Sequence, residues 1–580
     1  MASGQRVDFI VAGGGTSGCV AAARLAGSAA RPTVLLIEAG GPNSDNHYRV
    51  DADRWQHKNT IPGGNWDYLT EPQEHLNHRR IDYSRGKGLG GSSVINFGCY
   101  TVAPKDDHDE IARLVDDDEW KWENAQQRYK RLESYKAFRP DIPTGVDKYL
   151  SPHPDDHGHY GALKIGFPSV WEPSLTKEMD QLFEAGIRPN KDTNSGNPIG
   201  LAVCPNTAYK GERTNSSDFL AGGPRNLYVV TQTQVARVIF KGCRAVGVEA
   251  VDGRKFFASK EILLSAGSLD TPRVLMHSGI GPADQLRRYG IPVVVDNPSI
   301  GQNLQDHYHI SCAWQRAEST STRPQYYRDK AAQQAARKEW EESRTGPLAH
   351  LTTCMGIGFL KSDKVFDSKE YKELPYETRQ HLLRPTVPTF EITIGAPYSG
   401  YFEDPENTPA TSVIYMLLMN SQCRGSVTLQ SSDPSVPLAF DPKLFSHPYD
   451  RRVAVEAYRE VARVVRSSAY ARDTVRPLRA PKSESEEDVL DFWREQCTST
   501  WHMSCTVSMG RNGDPKACVD PSFRVLGVSN LRVGDLSVLP WLTNGHSQAT
   551  AYLIGLMVGD KLVADYQLDD QGKAPLLGRL

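Results

Sequence analysis

The sequence predicts an α/β fold, and three observations predict it. Near the N-terminus a short apolar run leads into a glycine-rich turn and then a helix of small residues. Between residues 226 and 267 several alternating or continuous apolar runs follow one another at strand length. Late in the chain, over residues 450–467, apolar residues recur at helical spacing. Strand and helix periods interleaved in one chain are the pattern of helices layered on a sheet.

The first element carries the most chemistry. Val7-Asp8-Phe9-Ile10-Val11-Ala12 reads as a buried strand, followed at once by Gly13-Gly14-Gly15-Thr16-Ser17-Gly18. Cys19-Val20-Ala21-Ala22-Ala23-Arg24-Leu25 starts a helix, and Thr33-Val34-Leu35-Leu36-Ile37 is a second strand ending on Glu38. Gly13 permits the tight turn, Gly15 lets a pyrophosphate approach the backbone, and Gly18 lets helix and strand pack closely. The helix N-terminus offers free N–H groups and a positive dipole end to phosphates. Glu38 is placed to accept hydrogen bonds from a ribose 2′-OH. A lone GxGxxG is an ordinary turn as often as a site. With strand, helix and acid in register it reads as dinucleotide binding, without choosing between NAD and FAD.

Length and composition bound the rest. A chain of 580 residues carries a soft prior of about three or four domains, fewer if they interleave. The net charge is −3, so there is no basic field and nucleic acid is not an expected partner. No apolar run approaches the ~20 residues of a membrane span. The first strand begins within a few residues of Met1, which leaves no room ahead of it for a secretory leader. Ten cysteines are scattered without a CxxC, which reads as reduced thiols of a cytoplasmic protein, with no zinc site.

After residue 41 the chain turns loop-like through Pro42-Asn43-Ser44-Asp45-Asn46-His47, and Pro62-Gly63-Gly64-Asn65 is a further turn. Glycine is again dense in Arg85-Gly86-Lys87-Gly88-Leu89-Gly90-Gly91-Ser92-Ser93-Val94-Ile95-Asn96, between apolar anchors at Tyr83 and Val94-Ile95. Such a run suits close approach to a flat or anionic ligand. Asp116-Asp117-Asp118-Glu119 reads as a solvated turn, and the segment from Arg128 to Glu133 as helical. His153, His157 and His159 with Asp155 and Asp156 could hold a metal, but the prolines and glycine among them favour a solvated loop. Residues 226–231, 235–240, 245–250 and 261–267 read as strands, residues 325–344 as helical, either a surface helix or an insertion near a pocket mouth, and 450–467 as an amphipathic helix.

These motifs together resemble the glucose–methanol–choline (GMC) family of flavoprotein oxidoreductases over nearly the whole chain. The resemblance rests on the first βαβ unit and on residues 86–96. It extends to Gly267-Ser268-Leu269-Asp270-Thr271-Pro272-Arg273, Gly301-Gln302-Asn303-Leu304-Gln305-Asp306-His307, residues 502–510, residues 531–540 and Asn544-Gly545-His546-Ser547-Gln548. It implies an FAD-binding domain of the Rossmann type from residues 1–159, 211–304 and 500–580. Interleaved with it is a substrate domain from 160–210 and 305–499, on a mostly antiparallel sheet. It assigns contacts with FAD to Gly13, Gly15, Thr16, Ser17, Gly18, Glu38 and Ala39, and to Arg85, Gly86, Gly90, Gly91, Ser92 and Asn96. Val235, Asp535, His546, Ser547 and Gln548 complete the set, and no metal is implied. His502 is implied as the base and His546 as its partner at the substrate hydroxyl, with Asn544 expected to set the turn that aims His546.

Four departures bear on the chemistry. Cys505 stands where the family has glycine, and Gly534 where it commonly has a larger residue. Ile95 replaces the histidine that links covalently to flavin in choline oxidases, so non-covalent FAD is expected. His546 resembles aryl-alcohol oxidases, whereas Ala103-Pro104 with Asp106-Asp107 resembles choline oxidases.

The implied reaction removes a proton from oxygen and a hydride from carbon of a primary alcohol, aromatic and allylic alcohols included, and gives the aldehyde. A base with a pKa near the working pH is needed, and an unperturbed histidine titrates near 6.5. A rise in rate near neutrality is therefore expected from His502. Reduced flavin would pass its electrons to oxygen or another acceptor. The competing reading is a non-redox enzyme of the same fold, such as a hydroxynitrile lyase or a cyclase of secondary metabolism. A light-driven decarboxylase or a pure binding protein would leave the histidine pair idle. A monomer or homodimer is expected. Gly578-Arg579-Leu580 matches a peroxisomal tripeptide only in its last two residues.

Overall fold

A computed structural model describes residues 4–44, 49–136, 146–167, 171–349 and 355–570. Asp45, Asn46 and His47 of the predicted loop, and Gly578-Arg579-Leu580, lie outside the described residues. The protein is an α/β molecule built on two large sheets, and each sheet is assembled from distant parts of the chain.

The first sheet has seven strands. Arg6–Ala12 pairs in parallel with Val34–Ile37 on one side and with Lys255–Leu264 on the other. Val34–Ile37 is flanked by Leu227–Val230, and Lys255–Leu264 is flanked by Leu531–Val533, both parallel. Arg244–Ala250 and Val235–Lys241 extend it as an antiparallel meander. Phe9–Ala12 and Val34–Ile37 are buried on every residue, as expected for parallel strands covered on both faces.

The helix Thr16–Ala26 is buried along almost its whole length, between this sheet and the long helix Gln548–Asp565. Small residues make that closeness possible. A Cβ at Gly555 would lie 2.4 Å from the Ser17 carbonyl oxygen, so the two backbones nearly touch. Among the described residues no helix is long and apolar enough to cross a membrane.

The second sheet has six strands, all antiparallel. Its order is Gly356–Leu360, Phe390–Ile394, Thr411–Leu418, Tyr308–Arg316 and Thr474–Arg479, with Thr498–Ser499 pairing on Tyr308–Arg316. The helix Pro448–Arg466 packs its stripe of Val453, Ala457, Val461 and Val464 inward, as its spacing predicts. Through Thr498–Ser499 this sheet delivers the chain directly to His502.

Two expectations are corrected. Residues 325–344 form two helices, Arg323–Arg328 and Lys330–Ser343, because the Asp329 side chain accepts from the N–H groups of Ala331 and Ala332 and starts a new helix. That second helix is not wholly superficial: Trp340 is buried and donates to the Gly211 carbonyl at 2.8 Å. The histidine-rich loop is not wholly solvated either. His153 and His159 are exposed, but His157 is buried between Asp192, 2.9 Å away, and Glu133, at 3.4 Å. Burial opposes charge there, and these two carboxylates outweigh it, taking His157 up to about 9. Among the described residues no group of side chains could hold a metal ion.

Candidate active site

Two adjoining cavities lie where the first sheet meets the loops that follow its strands. The first, about 1000 Å³, is lined by Gly13, Gly15, Thr16, Ser17, Glu38, Ala39, Arg85, Gly86, Gly91, Ser92, Val235 and Asp535 among others. It sits at the carboxyl ends of parallel strands, where such sheets hold their ligands. The glycines of the first turn divide the work as their positions predict. Gly13 has φ +111°, and a Cβ on it would strike the Ser265 carbonyl oxygen at 2.2 Å. A Cβ on Gly18 would strike the Gly13 carbonyl oxygen at 1.9 Å, so its absence is what lets helix and strand close up. A Cβ on Gly15 would meet only the Gly91 Cα, at 3.9 Å, which leaves the backbone open toward the cavity. Gly18 and Gly90 support the turns and do not line either cavity.

Glu38 lines the cavity, yet its carboxylate is already engaged. It accepts from the N–H groups of Gly14 at 2.8 Å, Gly40 at 2.8 Å and Gly88 at 3.0 Å. It therefore pins both glycine-rich loops together as well as facing the ligand space. Burial raises its pKa, and those amides work against that rise. Asp535 plays a matching role at the C-terminal side. It accepts from the Gly267 N–H at 2.9 Å and the Thr271 hydroxyl at 2.6 Å, joining the last segment to the middle one. The neighbouring glycine is explained by packing: a Cβ on Gly534 would lie 2.7 Å from Val558 and 3.0 Å from Leu263.

The second cavity, about 890 Å³, shares Thr16, Arg85 and Ser92 with the first and is lined further by Ile95, Asn96, Cys99, Trp501, His502, His546, Ser547 and Gln548. Asn96 donates to the Gln548 side chain at 3.0 Å, tying the second motif to the last. The rings of His502 and His546 face each other edge to face, with centroids 5.1 Å apart. Each is held from behind. The His502 N–H donates to Asp306 at 2.8 Å, and its Nδ1 meets Nδ1 of His307 at 3.0 Å. The His546 N–H donates to the Thr101 hydroxyl at 2.7 Å, and its Nε2 meets Oε1 of the fully buried Glu391 at 3.1 Å. Asn544, at the turn before His546, is clamped by Asp107, which accepts from its N–H at 2.7 Å and from its side-chain amide.

These surroundings leave one imidazole neutral and the other charged. Burial, followed by the nearby charge of His546, drives the His502 pKa well below its ordinary value and keeps it neutral. Burial also opposes charge on His546, but Glu391 outweighs it and takes His546 up to about 9. At neutral pH a neutral acceptor and a cationic donor thus share one cavity. The rise in rate expected near neutrality from His502 is corrected accordingly: its titration lies on the acid side.

Cys505 shows what its departure from glycine means. It is fully buried at φ +73°, so the chain keeps the left-handed conformation that glycine favours and bears the strain with a side chain. Sequence reasoning missed Glu391, Asp107 and the role of His307. Asp306-His307 was visible as part of a motif, but nothing in the spacing says that it reaches His502. Glu391 carries no motif, and only its position on Phe390–Ile394 brings it to His546.

Residues 7–309 and 421–555 each match a family model described as GMC oxidoreductase. The chain is 33% identical to pyranose dehydrogenase 3 of Leucoagaricus meleagris, covering 94% of this chain and 91% of that protein. It is 32% identical to patulin synthase of Penicillium expansum, covering 95% and 90%. Among solved structures it is similar to a formate oxidase of Aspergillus oryzae RIB40, studied for FAD modification, with TM-score 0.88 and 24% identity over 98% of this chain and 100% of that one.

Proposed function

The chain belongs to the GMC oxidoreductase family, and from that premise we propose that it oxidises a primary alcohol to the aldehyde with His502 as the base. Its cofactor is FAD, which when bound supplies the acceptor for the hydride leaving the carbinol carbon. The residues present fit that group. A strand, an open glycine backbone and a helix N-terminus face the first cavity, and an adjoining cavity carries the two histidines. Thr16, Ser17, Arg85, Gly86 and Ser92 would hold the phosphates and the ring side of the dinucleotide, and Glu38 and Val235 the adenosine side.

The observation that carries the reading is the unlike charge of the two histidines over one cavity. Neutral His502 takes the hydroxyl proton. Cationic His546, held by Glu391, donates a hydrogen bond to the same oxygen and favours the alkoxide character that develops as the proton leaves.

We propose further that FAD is held without a covalent bond, because Ile95 lines the cavity at the position that carries the linking histidine in choline oxidases. The division into an FAD-binding part (1–159, 211–304, 500–580) and a substrate part (160–210, 305–499) is proposed on the same footing. The substrate resemblance spans sugars, as the name pyranose dehydrogenase says of that relative, and small alcohols.

The test is anaerobic mixing with a panel of primary alcohols and sugars, followed by oxygen or a quinone with peroxide detection. Bleaching of the flavin by one alcohol class supports the proposal. A flavin that stays oxidised with every alcohol, while a cyanohydrin or a cyclisation substrate turns over, would overturn it. Acid precipitation should leave the yellow colour in the supernatant.

A further inference from the structure

A third cavity, about 790 Å³, shares no lining residue with the other two. Its wall includes His307, His381, Glu110, Glu377, Arg113 and Arg424. Glu377 and Arg113 are 74% and 51% exposed, so this charged cavity opens to bulk water. Two contacts bridge it to the flavin-side cavity: Asp306, which accepts from the His502 backbone N–H at 2.8 Å, and the pair His502 and His307, Nδ1 to Nδ1 at 3.0 Å, with their rings at 78°.

His307 is fully buried, and its Nε2 has no hydrogen-bond partner. With Nδ1 turned to His502, Nε2 lies on the opposite edge of the ring and is itself out of contact with solvent, while His307 is among the residues that line the third cavity. Two neutral imidazoles that meet Nδ1 to Nδ1 share one proton, so one of them donates. If His502 donates, its own Nε2 is left with a lone pair, which is the form a base requires. His307 then carries its proton on Nε2. Burial pushes the His307 pKa down to about 3, so it does not retain a second proton.

We propose that His307 is a proton relay between His502 and the water of the third cavity. The inference rests on His502 being the base. As Nε2 of His502 takes the hydroxyl proton, the Nδ1 proton of His502 moves to Nδ1 of His307, and the Nε2 proton of His307 leaves to water. No electrons move along this path, because the pair from the C–H bond departs with the hydride. Each ring gains one proton and loses one, and ends as its other tautomer. Reoxidation by a two-electron acceptor that takes up a proton, oxygen or a quinone, runs the relay backwards and restores both tautomers. The alcohol's proton thus leaves without the flavin-side cavity being opened to water.

The test uses the FAD-loaded enzyme under anaerobic conditions in weak buffer, with a turnover alcohol and a pH-indicator dye. Flavin reduction and dye response are followed in the same rapid-mixing record. In the wild type the dye should respond in step with flavin reduction. His307→Gln keeps hydrogen-bonding capacity but passes no proton, so the dye should lag flavin reduction by tenfold or more, and added imidazole should shorten the lag. Thr378→Trp fills the third cavity while leaving both histidines in place, and should produce the same lag, which guards against misfolding of the His307 variant. A wild type with no dye response overturns the relay. So do His307→Gln or Thr378→Trp variants in which the two signals remain in step, slowed or not. Failure of the underlying reading looks different: His502→Ala would then reduce its flavin at the wild-type rate.

Discussion

The cofactor cradle and the histidine cavity adjoin, yet they are built from different materials. The cradle is main chain: glycine turns, strand ends and a helix N-terminus, stitched by the carboxylates of Glu38 and Asp535. The histidine cavity is side chain: two imidazoles, one kept neutral by burial and one made cationic by Glu391, held by partners 195 and 155 residues away, His307 and Glu391. A cradle of backbone fails when an atom is added or a loop is untied. A cavity of charges fails when a partner is neutralised, with the backbone unmoved. Binding and chemistry should therefore come apart under mutation, and the following substitutions break or sharpen that division.

The largest effect is expected from His502→Ala. Loss of a general base costs about 10²–10⁴-fold, roughly 3–5 kcal/mol in the barrier. Anaerobic flavin reduction should fall by that factor while FAD content stays at the wild-type level, and His546→Asn, which keeps a donor, should cost less. A His502→Ala protein that also lost its FAD would erase the distinction between the two regions.

Glu38→Ala acts on the other side of the division. It removes a charged acceptor from three amide N–H groups, and one such hydrogen bond is worth roughly 1.5–3 kcal/mol. FAD binding by fluorescence titration and the melting temperature of the apoprotein should both drop. Weakened FAD binding in an apoprotein of unchanged melting temperature would leave Glu38 as a ribose acceptor alone.

Glu391→Gln addresses charge with little change of shape. His546 is cationic below its pKa, so the wild-type rate of flavin reduction should hold through neutrality and decline as pH rises through about 9. Without the Glu391 carboxylate that decline should move toward neutrality. Moving it down by one pH unit takes about 1.4 kcal/mol, and a loss of about twofold is then expected near pH 8. The sign for stability follows the same raised pKa: the Glu391 interaction with His546 contributes fully below about pH 6.5 and is lost as pH rises through about 9. A pH profile that coincides with wild type would remove Glu391 from the electrostatics.

The smallest effect is at Cys505. Glycine there relieves a left-handed conformation that costs an L-residue about 1–2 kcal/mol, offset in part by the lost packing of the thiol. Urea unfolding of Cys505→Gly should show a gain of roughly 1 kcal/mol with flavin reduction unchanged. A loss would mean that the thiol's packing outweighs the strain.

The same contrast explains what was legible in the sequence. Gly13, Gly15, Gly18 and Glu38 announce themselves because a turn, a close approach and a register of twenty residues are local facts of the chain. The strands at 7–12 and 33–37 were readable for the same reason, as continuous apolar runs of strand length. His502 and His546 were readable only through resemblance, since a lone histidine has no period. Their charges were not readable at all. Nothing near Glu391 in sequence hints that it meets His546, because that meeting is made by the register of the second sheet. The expected neutral titration of His502 failed on this point: an unperturbed pKa is a property of the residue, whereas burial beside His307 and His546 is a property of the fold. Residues 325–344 failed more simply, where one aspartate that caps a helix divides what composition reads as continuous.

The strand Leu531–Val533 and the helix Gln548–Asp565 leave the ribosome some five hundred residues after Arg6–Ala12, and they complete the sheet begun by Arg6–Ala12 and cover the helix Thr16–Ala26. A nascent chain of some five hundred residues, on this arrangement, owns the glycine turn but lacks Asp535, and the apolar face of Thr16–Ala26 lies bare. Contacts across that span are slow to form and leave an intermediate exposed to aggregation and to chaperones. FAD capture then waits until residues 531–565 have been made. Any chain cut short before residue 531 should be recovered colourless, so the yellow of the holoprotein doubles as a certificate that translation ran through to the helix Gln548–Asp565.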